Sequence, residues 1–311
     1  MAHDHDHHHG GHNYNRAFLL GIGLNLGFVF LEAGCGWWAN SLALLADAGH
    51  NLSDVLGLLL AWGASYLASQ RPTALRTYGL RRSSILAALV NAVLLLLAIG
   101  GIAWEAVRRL HQPEPVSGLT VIGIAAAGVV VNTATALMFM AGRKHDLNIR
   151  GAFLHMAADA GVSAGVLLAG VVIRVTGWAW VDPVTSLLVV AVIAIGTWSL
   201  FRESLDLALD AVPAGIDPAA VQSYLAGLPG IAAVHDLHIW GMSTRETALT
   251  AHLVKPDGKL DDGLLERISE ELHHQFGIAH VTIQLEQETD HTCNLVPPAQ
   301  TKPIQGAQTG A

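Results

Sequence analysis

Two stretches of the chain repeat one arrangement of metal-binding side chains. His50 is followed four residues later by Asp54, and His155 four residues later by Asp159. On a helix, positions i and i+4 share a face, so each pair aims one imidazole and one carboxylate at a common point. Two such helices facing each other would supply two nitrogens and two oxygens, a tetrahedral set suited to Zn²⁺. Both stretches sit in apolar surroundings, where an ionisable side chain costs about 2.5–3.5 kcal/mol at the centre of a spanning helix. A single buried His–Asp pair is also an ordinary interhelical hydrogen bond. The same His-x-x-x-Asp motif on two separate apolar segments favours a shared ligand.

Other polar residues carry weaker signals. Asp47 lies one turn before His50 and could tune the site or shuttle protons; a local helix-packing role serves equally well. Asn25, Glu32, Asn91 and Asn132 fall within apolar segments, where they would line an interior or hydrogen-bond between helices. Asp182 precedes Pro183 and reads as the cap of its own helix. Gly21, Gly23 and Gly27 read as points of close helix contact. His111 and His145 read as solvated loop residues. Farther along, alternation sets His238 on the strand face opposite Leu237 and Ile239, beside Asp236 and Trp240. His252 shares a face with Thr250, and His280 with Glu286. These side chains could converge on a surface shared with a second subunit, or simply be solvated.

The elements that must hold these residues follow from composition. Hydrophobic residues make up 52% of the 311, charged residues 14%, and mean hydropathy is +0.43. Soluble chains carry about 25% charged residues, so this one has roughly half the usual share. Disorder, a disulfide scaffold and nucleic-acid binding are disfavoured, and an integral membrane protein remains. A spanning helix needs about 20 mainly apolar residues. Six segments qualify, at roughly 16–38, 41–68, 83–110, 117–142, 150–175 and 180–203. No cleavable signal peptide is expected ahead of them.

Net charge is −8 and unevenly placed. Residues 1–206 carry 12 acids and 12 bases, while 207–311 carry 13 acids and 5 bases. The basic residues near the segment ends divide nine to three between the two sides, with Arg16, Arg71, Arg76, Arg81, Arg82, Arg143, Lys144, Arg150 and Arg202 on one. That side is predicted to be cytoplasmic and to hold both termini. From about 207 the pattern is that of a small α+β domain: helix 218–228, strands 233–241 and 247–254, helix 261–276 and strand 280–286. The domains are thus a His-rich start (1–15), a six-helix transmembrane domain (16–206), a cytoplasmic α+β domain (207–290) and a disordered tail (291–311).

With these residues on the page, the chain resembles the cation diffusion facilitator family of divalent-metal transporters. The resemblance lies in Ser41-Leu-Ala-Leu-Leu-Ala-Asp47-Ala-Gly-His50 with Asp54, His155 with Asp159, and Gly177-Trp-Ala-Trp-Val-Asp182-Pro. In the soluble part it lies in His235-Asp-Leu-His-Ile-Trp240 and Val281-Thr-Ile-Gln-Leu-Glu286. It covers about 14–290. It implies six membrane spans, a cytoplasmic metallochaperone-like domain, a homodimer, and exchange of cytoplasmic Zn²⁺ for H⁺. His and Asp on both helices is the pattern of zinc members, which often tolerate cadmium or cobalt; imidazole suits Zn²⁺ where all-oxygen sites suit harder ions. The family's soluble-domain ligands match His252 and Glu286, and either His235 or His238; Ala279 stands where some relatives have His, with His280 next to it. Some relatives carry a further site in the loop between the second and third spans. Residues 71–82 here contain neither carboxylate nor histidine, and no site is expected there.

The expected function is secondary transport of Zn²⁺, with Cd²⁺, Co²⁺ or Ni²⁺ as related cargo, out of the cytoplasm against H⁺ across a bacterial inner membrane. Zn²⁺ is also the expected regulator in the cytoplasmic domain, and no organic cofactor is expected. The alternative is a membrane-anchored metal sensor, although an anchor has no need of paired ligands at mid-membrane. An enzyme is disfavoured, since no G-x-x-x-x-G-K-[ST] phosphate loop occurs. Residues 3–12 hold six of the 17 histidines and read as a native metal-concentrating tract, an expression tag being the duller alternative.

Overall fold

The computed structural model describes residues 11–140, 147–257 and 262–287. Residues 1–10 of the His-rich start, His145 and the tail beyond 290 lie outside them, as do the side chain of Asn25 and the surroundings of Gly21. Six long helices come first: α1 (Gly11–Ala39), α2 (Leu42–Ala68), α3 (Ser83–His111), α4 (Gly118–Met140), α5 (Leu147–Thr176) and α6 (Val181–Ala208). Among the described residues, α3, α4, α5 and α6 are long and apolar enough to cross a membrane, and the described apolar stretch of α1, Leu26–Ala39, is shorter. Helix α2 has 27 residues, about 40 Å at 1.5 Å per residue, and carries Asp47, His50 and Asp54.

By contact the chain divides into two units, one of residues up to Leu60 with Val90–Ser199, the other of Ala61–Leu89 with everything from Leu200. The first unit has a core drawn from five helices, including Leu44 of α2, Ile99 of α3, Val121 of α4, Val166 of α5 and Val190 of α6. Large apolar side chains on its other faces are exposed, among them Trp38, Trp104 and Ile195. Lipid tails are as apolar as leucine, so nothing drives such residues inward. The close approach of α4 and α5 rests on Gly128 and Gly170. A Cβ at Gly170 would stand 2.9 Å from Val121 Cγ1, and one at Gly128 would stand 3.0 Å from Ser163 Oγ. Gly23 and Gly27, predicted to serve that purpose, have open space beside them.

The second unit joins the ends of α2, α3 and α6 to a three-stranded sheet. Its elements are α7 (Pro218–Ala226), β1 (Ala233–Gly241), β2 (Thr247–Val254), α8 (Asp262–Phe276) and β3 (Ile278–Glu286). Asp217 caps α7 by accepting from Ala219 N at 2.9 Å, with Pro218 in the first turn as its fixed φ favours. The sheet order is β1-β2-β3, antiparallel then parallel. One sheet face and the two helices bury Val221, Leu225, Leu237, Leu249, Leu253, Ile268 and Leu272. Arg81 pairs with Glu246 at 2.6 Å and Arg82 with Asp210 at 2.5 Å, half-exposed contacts of the kind worth about 0–1 kcal/mol each.

Simple alternation fails in β1. Asp236 takes φ of 52°, and the pairing slips between His235 and His238. His235 still lies opposite His252, while His238 lies opposite Thr250. The extra residue of this bulge turns His235 and His238 to the same face, which also carries His252. Unbroken alternation would have put His235 among Leu237 and Ile239.

Candidate metal centre

The positioning of the helix-borne residues begins at the first turn of α2. Ser41 Oγ accepts from Leu44 N at 3.3 Å, the N-cap arrangement. Asp182, predicted to cap its own helix, is instead buried inside the bundle against α2. It accepts from Ser41 Oγ at 2.5 Å and from Leu42 N at 2.8 Å, placing a carboxylate on the positive end of the α2 dipole. The turn before α2 is held as firmly. Asn40 adopts φ of 56°, which Asn tolerates better than most residues. Arg109 donates to its backbone and side-chain oxygens, both at 2.8 Å. Arg109 is thus a buried tether between α3 and the α1–α2 turn.

With α2 fixed at that end, His50 and Asp54 meet His155 and Asp159 of α5. His50 Nε2 lies 3.7 Å from Asp54 Oδ2 and 3.5 Å from Asp159 Oδ1. His155 Nε2 lies 3.1 Å from Asp54 Oδ2 and 3.7 Å from Asp159 Oδ2. The imidazole centroids are 5.9 Å apart and the rings nearly perpendicular. Each nitrogen thus has a carboxylate oxygen from either helix as neighbour. A tetrahedral zinc with bonds of about 2.0–2.2 Å separates its donor atoms by about 3.4 Å; Asp54, His155 and Asp159 gather one donor atom each within 4.8 Å of one another, a group that does not include His50. Asp159 is 2% exposed and His155 is exposed, so the cluster is closed on the Asp159 side and open on the other.

Beside these four lies a buried polar group whose members the sequence had left as isolated polar residues. Asn51 Nδ2 donates to Glu32 Oε2 at 3.4 Å, and Ser163 Oγ donates to Asp47 Oδ2 at 3.0 Å. Neither Asn51 nor Ser163 stands out in the sequence, although Ser163 lies one turn beyond Asp159, on the face of α5 that bears the motif. Asn132 is fully buried on α4, with no hydrogen-bond partner among the described residues. Asn91 of α3 lies against Gly57 of α2. His111 is exposed, its Nδ1 at 3.0 Å from Val107 O.

A second cluster forms on the sheet. His235 Nε2 is 2.9 Å from Glu286 Oε2, and His252 Nδ1 is 3.0 Å from Glu286 Oε1. The bulge residue Asp236 reaches His252 Nε2 at 3.5 Å and His238 Nε2 at 3.1 Å. Glu286 is buried at 7% exposure and accepts from Gln284 Nε2 at 2.8 Å. Two imidazoles with a carboxylate between them are donors that borderline divalent ions prefer, and the residues present fit such an ion. His280 does not join them. It pairs with Ala248, four positions along β2 from His252, about 13 Å at strand rise, and stacks edge-on with Tyr78. His238 reaches the cluster only through Asp236.

Sequence comparison adds to this geometry. Residues 18–207 match the cation efflux transmembrane domain, and residues 213–288 match the cytoplasmic domain of cation efflux proteins. The cadmium, cobalt and zinc/H(+)-K(+) antiporter of Bacillus subtilis is 36% identical over 296 residues, covering 92% of this chain and 95% of its own. The zinc transporter ZitB of Escherichia coli is 35% identical over 296 residues, covering 94% of each. The metal cation efflux system protein CzcD of Cupriavidus metallidurans is 34% identical over 286 residues, covering 92% of this chain and 89% of its own.

Proposed function

The chain belongs to the cation efflux family of membrane metal transporters, not enzymes, and on that premise we propose that it exports Zn²⁺ from the cytoplasm in exchange for H⁺. The observation that carries this reading is the four-donor cluster of His50, Asp54, His155 and Asp159, with spacings of 3.1–3.7 Å between nitrogen and oxygen. Equal numbers of imidazole and carboxylate donors favour Zn²⁺ over the harder ions, with Cd²⁺, Co²⁺ and Ni²⁺ as related cargo.

These residues take the ion from the cytoplasmic side, and the helices then rock to present it to the other face. There, protons compete for the imidazole nitrogens. A free imidazole titrates near pH 6.5, so protonation and metal binding exclude one another in the working range. We place the protein in a bacterial inner membrane with both termini and the sheet domain in the cytoplasm, as the nine-to-three distribution of basic residues supports. The domain limits are taken as 1–15, 16–206, 207–290 and 291–311. It acts as a homodimer. His235, His252 and Glu286 hold a regulatory Zn²⁺, which offsets repulsion between two acidic domains and links metal level to transport.

The test is Zn²⁺ flux in proteoliposomes under an imposed pH gradient. Flux should rise as the face opposite the cytoplasmic one is made more acidic; flux indifferent to the gradient removes the exchange. Asp159→Ala separates transport from sensing: it should abolish flux, whereas a sensor working through the sheet domain would keep its metal response.

A further inference from the structure

The helices around the four donors bury a second pair of acids that the metal site does not use. Glu32 of α1 is fully buried and Asp47 of α2 is 1% exposed. Each has one oxygen satisfied by a neutral donor, Asn51 Nδ2 on Glu32 Oε2 and Ser163 Oγ on Asp47 Oδ2. The other two oxygens, Glu32 Oε1 and Asp47 Oδ1, meet no donor among the described residues. The two carboxyl groups nonetheless lie within hydrogen-bonding reach of each other. An ionised carboxylate only accepts, so two of them share a hydrogen bond only when one carries a proton. A single proton between the two carboxyl groups would let them share a hydrogen bond.

The charges around the pair point the same way. Apart from Glu32, the ionisable groups that act most strongly on Asp47 are Asp159 on α5 and His50 on its own helix. Helix α4, which packs on α1 and α5, contains no titratable residue. Two adjacent ionised carboxylates here would repel each other in a buried setting, and adjacent acids in such a setting hold one proton between them.

We propose that Glu32 and Asp47 share one proton in the metal-free protein and release it to solvent when a divalent cation binds His50, Asp54, His155 and Asp159. This rests on the metal site proposed above. A dication one helical turn from Asp47 favours the ionised form of the pair by direct attraction, and its departure restores the proton. Proton release with metal binding and uptake with metal loss is what exchange requires, here in groups that do not ligate the metal.

Calorimetric Zn²⁺ titration of the full-length protein, repeated in buffers of different ionisation enthalpy, counts protons released per metal. Glu32→Gln, which keeps the shape but cannot exchange a proton, should lower the count by about one relative to wild type, and Asp47→Asn should do the same. Protons released at imidazoles are common to all three proteins and cancel. If wild-type flux ignores a pH gradient while the counts still differ, exchange fails and the shared proton stands. If flux follows the gradient and neither variant changes the count, the shared proton is overturned. An unchanged count together with K⁺-dependent metal binding would assign the pair to a monovalent cation and overturn it equally. Should neither variant fold, wild-type protein with isotope-labelled carboxyl groups decides the matter. Its infrared difference spectrum should lose a protonated-carboxyl carbonyl band on adding Zn²⁺, and the absence of that band overturns the proposal.

Discussion

The molecule holds two clusters of histidine and carboxylate, built on different secondary structure. In the helical unit, two helices contribute one His and one Asp each, from positions four apart, and the ring of donors closes at 3.1–3.7 Å. In the sheet unit, three strands contribute one residue each, and closure depends on cross-strand register and on the bulge at Asp236. The helical cluster is symmetric in chemistry: either helix alone is half a site. The sheet cluster is centred on one carboxylate, Glu286, which touches both imidazoles. A site split evenly between two helices responds to any change in how those helices lie together, as a transporter that must alternately bind and release requires. A site centred on a buried carboxylate within one sheet changes little when other parts of the chain move, which suits a ligand that stays.

That contrast predicts unequal costs. Asp159→Ala removes the most buried donor of the helical cluster and should lower Zn²⁺ transport by at least about 100-fold, since even outer partners of metal ligands cost about 10–100-fold in affinity. Flux that survives in vesicles would break the assignment of this cluster as the cargo site. Next in size is Asp182→Ala. It strips the carboxylate from the first turn of α2, and loss of a cap costs about 0.5–2 kcal/mol. Thermal unfolding should shift downward and flux should fall, although Asp182 is not among the four donors. Normal flux in that variant would show that α2 needs no fixed end to present His50.

Changes in the sheet cluster should act differently. His252→Ala with Glu286→Gln should leave flux at saturating Zn²⁺ within a few-fold of wild type but remove metal-induced tightening of the dimer, read by analytical ultracentrifugation with and without chelator. Complete loss of flux would erase the functional distinction between the clusters. Both clusters should bind Zn²⁺ more weakly as pH falls, because imidazole must lose its proton to coordinate. Equilibrium binding at several pH values checks the sign, and tighter binding in acid would contradict both assignments. The smallest effect is expected from deleting residues 2–12, which should leave flux nearly unchanged at high Zn²⁺ and reduce it modestly when metal is scarce.

The two clusters also differ in how far the sequence foretells them. His-x-x-x-Asp on an apolar segment is legible because a helix is a local structure whose period converts spacing into a shared face. The six helices were legible for the same reason, each being a run of apolar residues between polar breaks. The sheet domain was legible in its elements, from β1 at Ala233–Gly241 to β3 at Ile278–Glu286. Its cluster was not, since a positive φ at Asp236 reverses the alternation that would hide His235 in the core. His280, only six residues from Glu286, was grouped with the cluster although the strand carries it away.

What the sequence determined by itself was the membrane class, the order of helices and strands, and the His-x-x-x-Asp pairs on α2 and α5. All of these depend on residue type and on interactions among residues near in the chain. What the tertiary structure alone decided was the choice of partner at long range. Asp182 caps α2 rather than its own helix, Arg109 holds Asn40, Ser163 meets Asp47, and Glu286 gathers His235 and His252. Leaving a buried polar group without a partner costs free energy, and that cost favours the pairing. Which partner it finds depends on how elements far apart in the chain pack, and residue spacing carries no record of that.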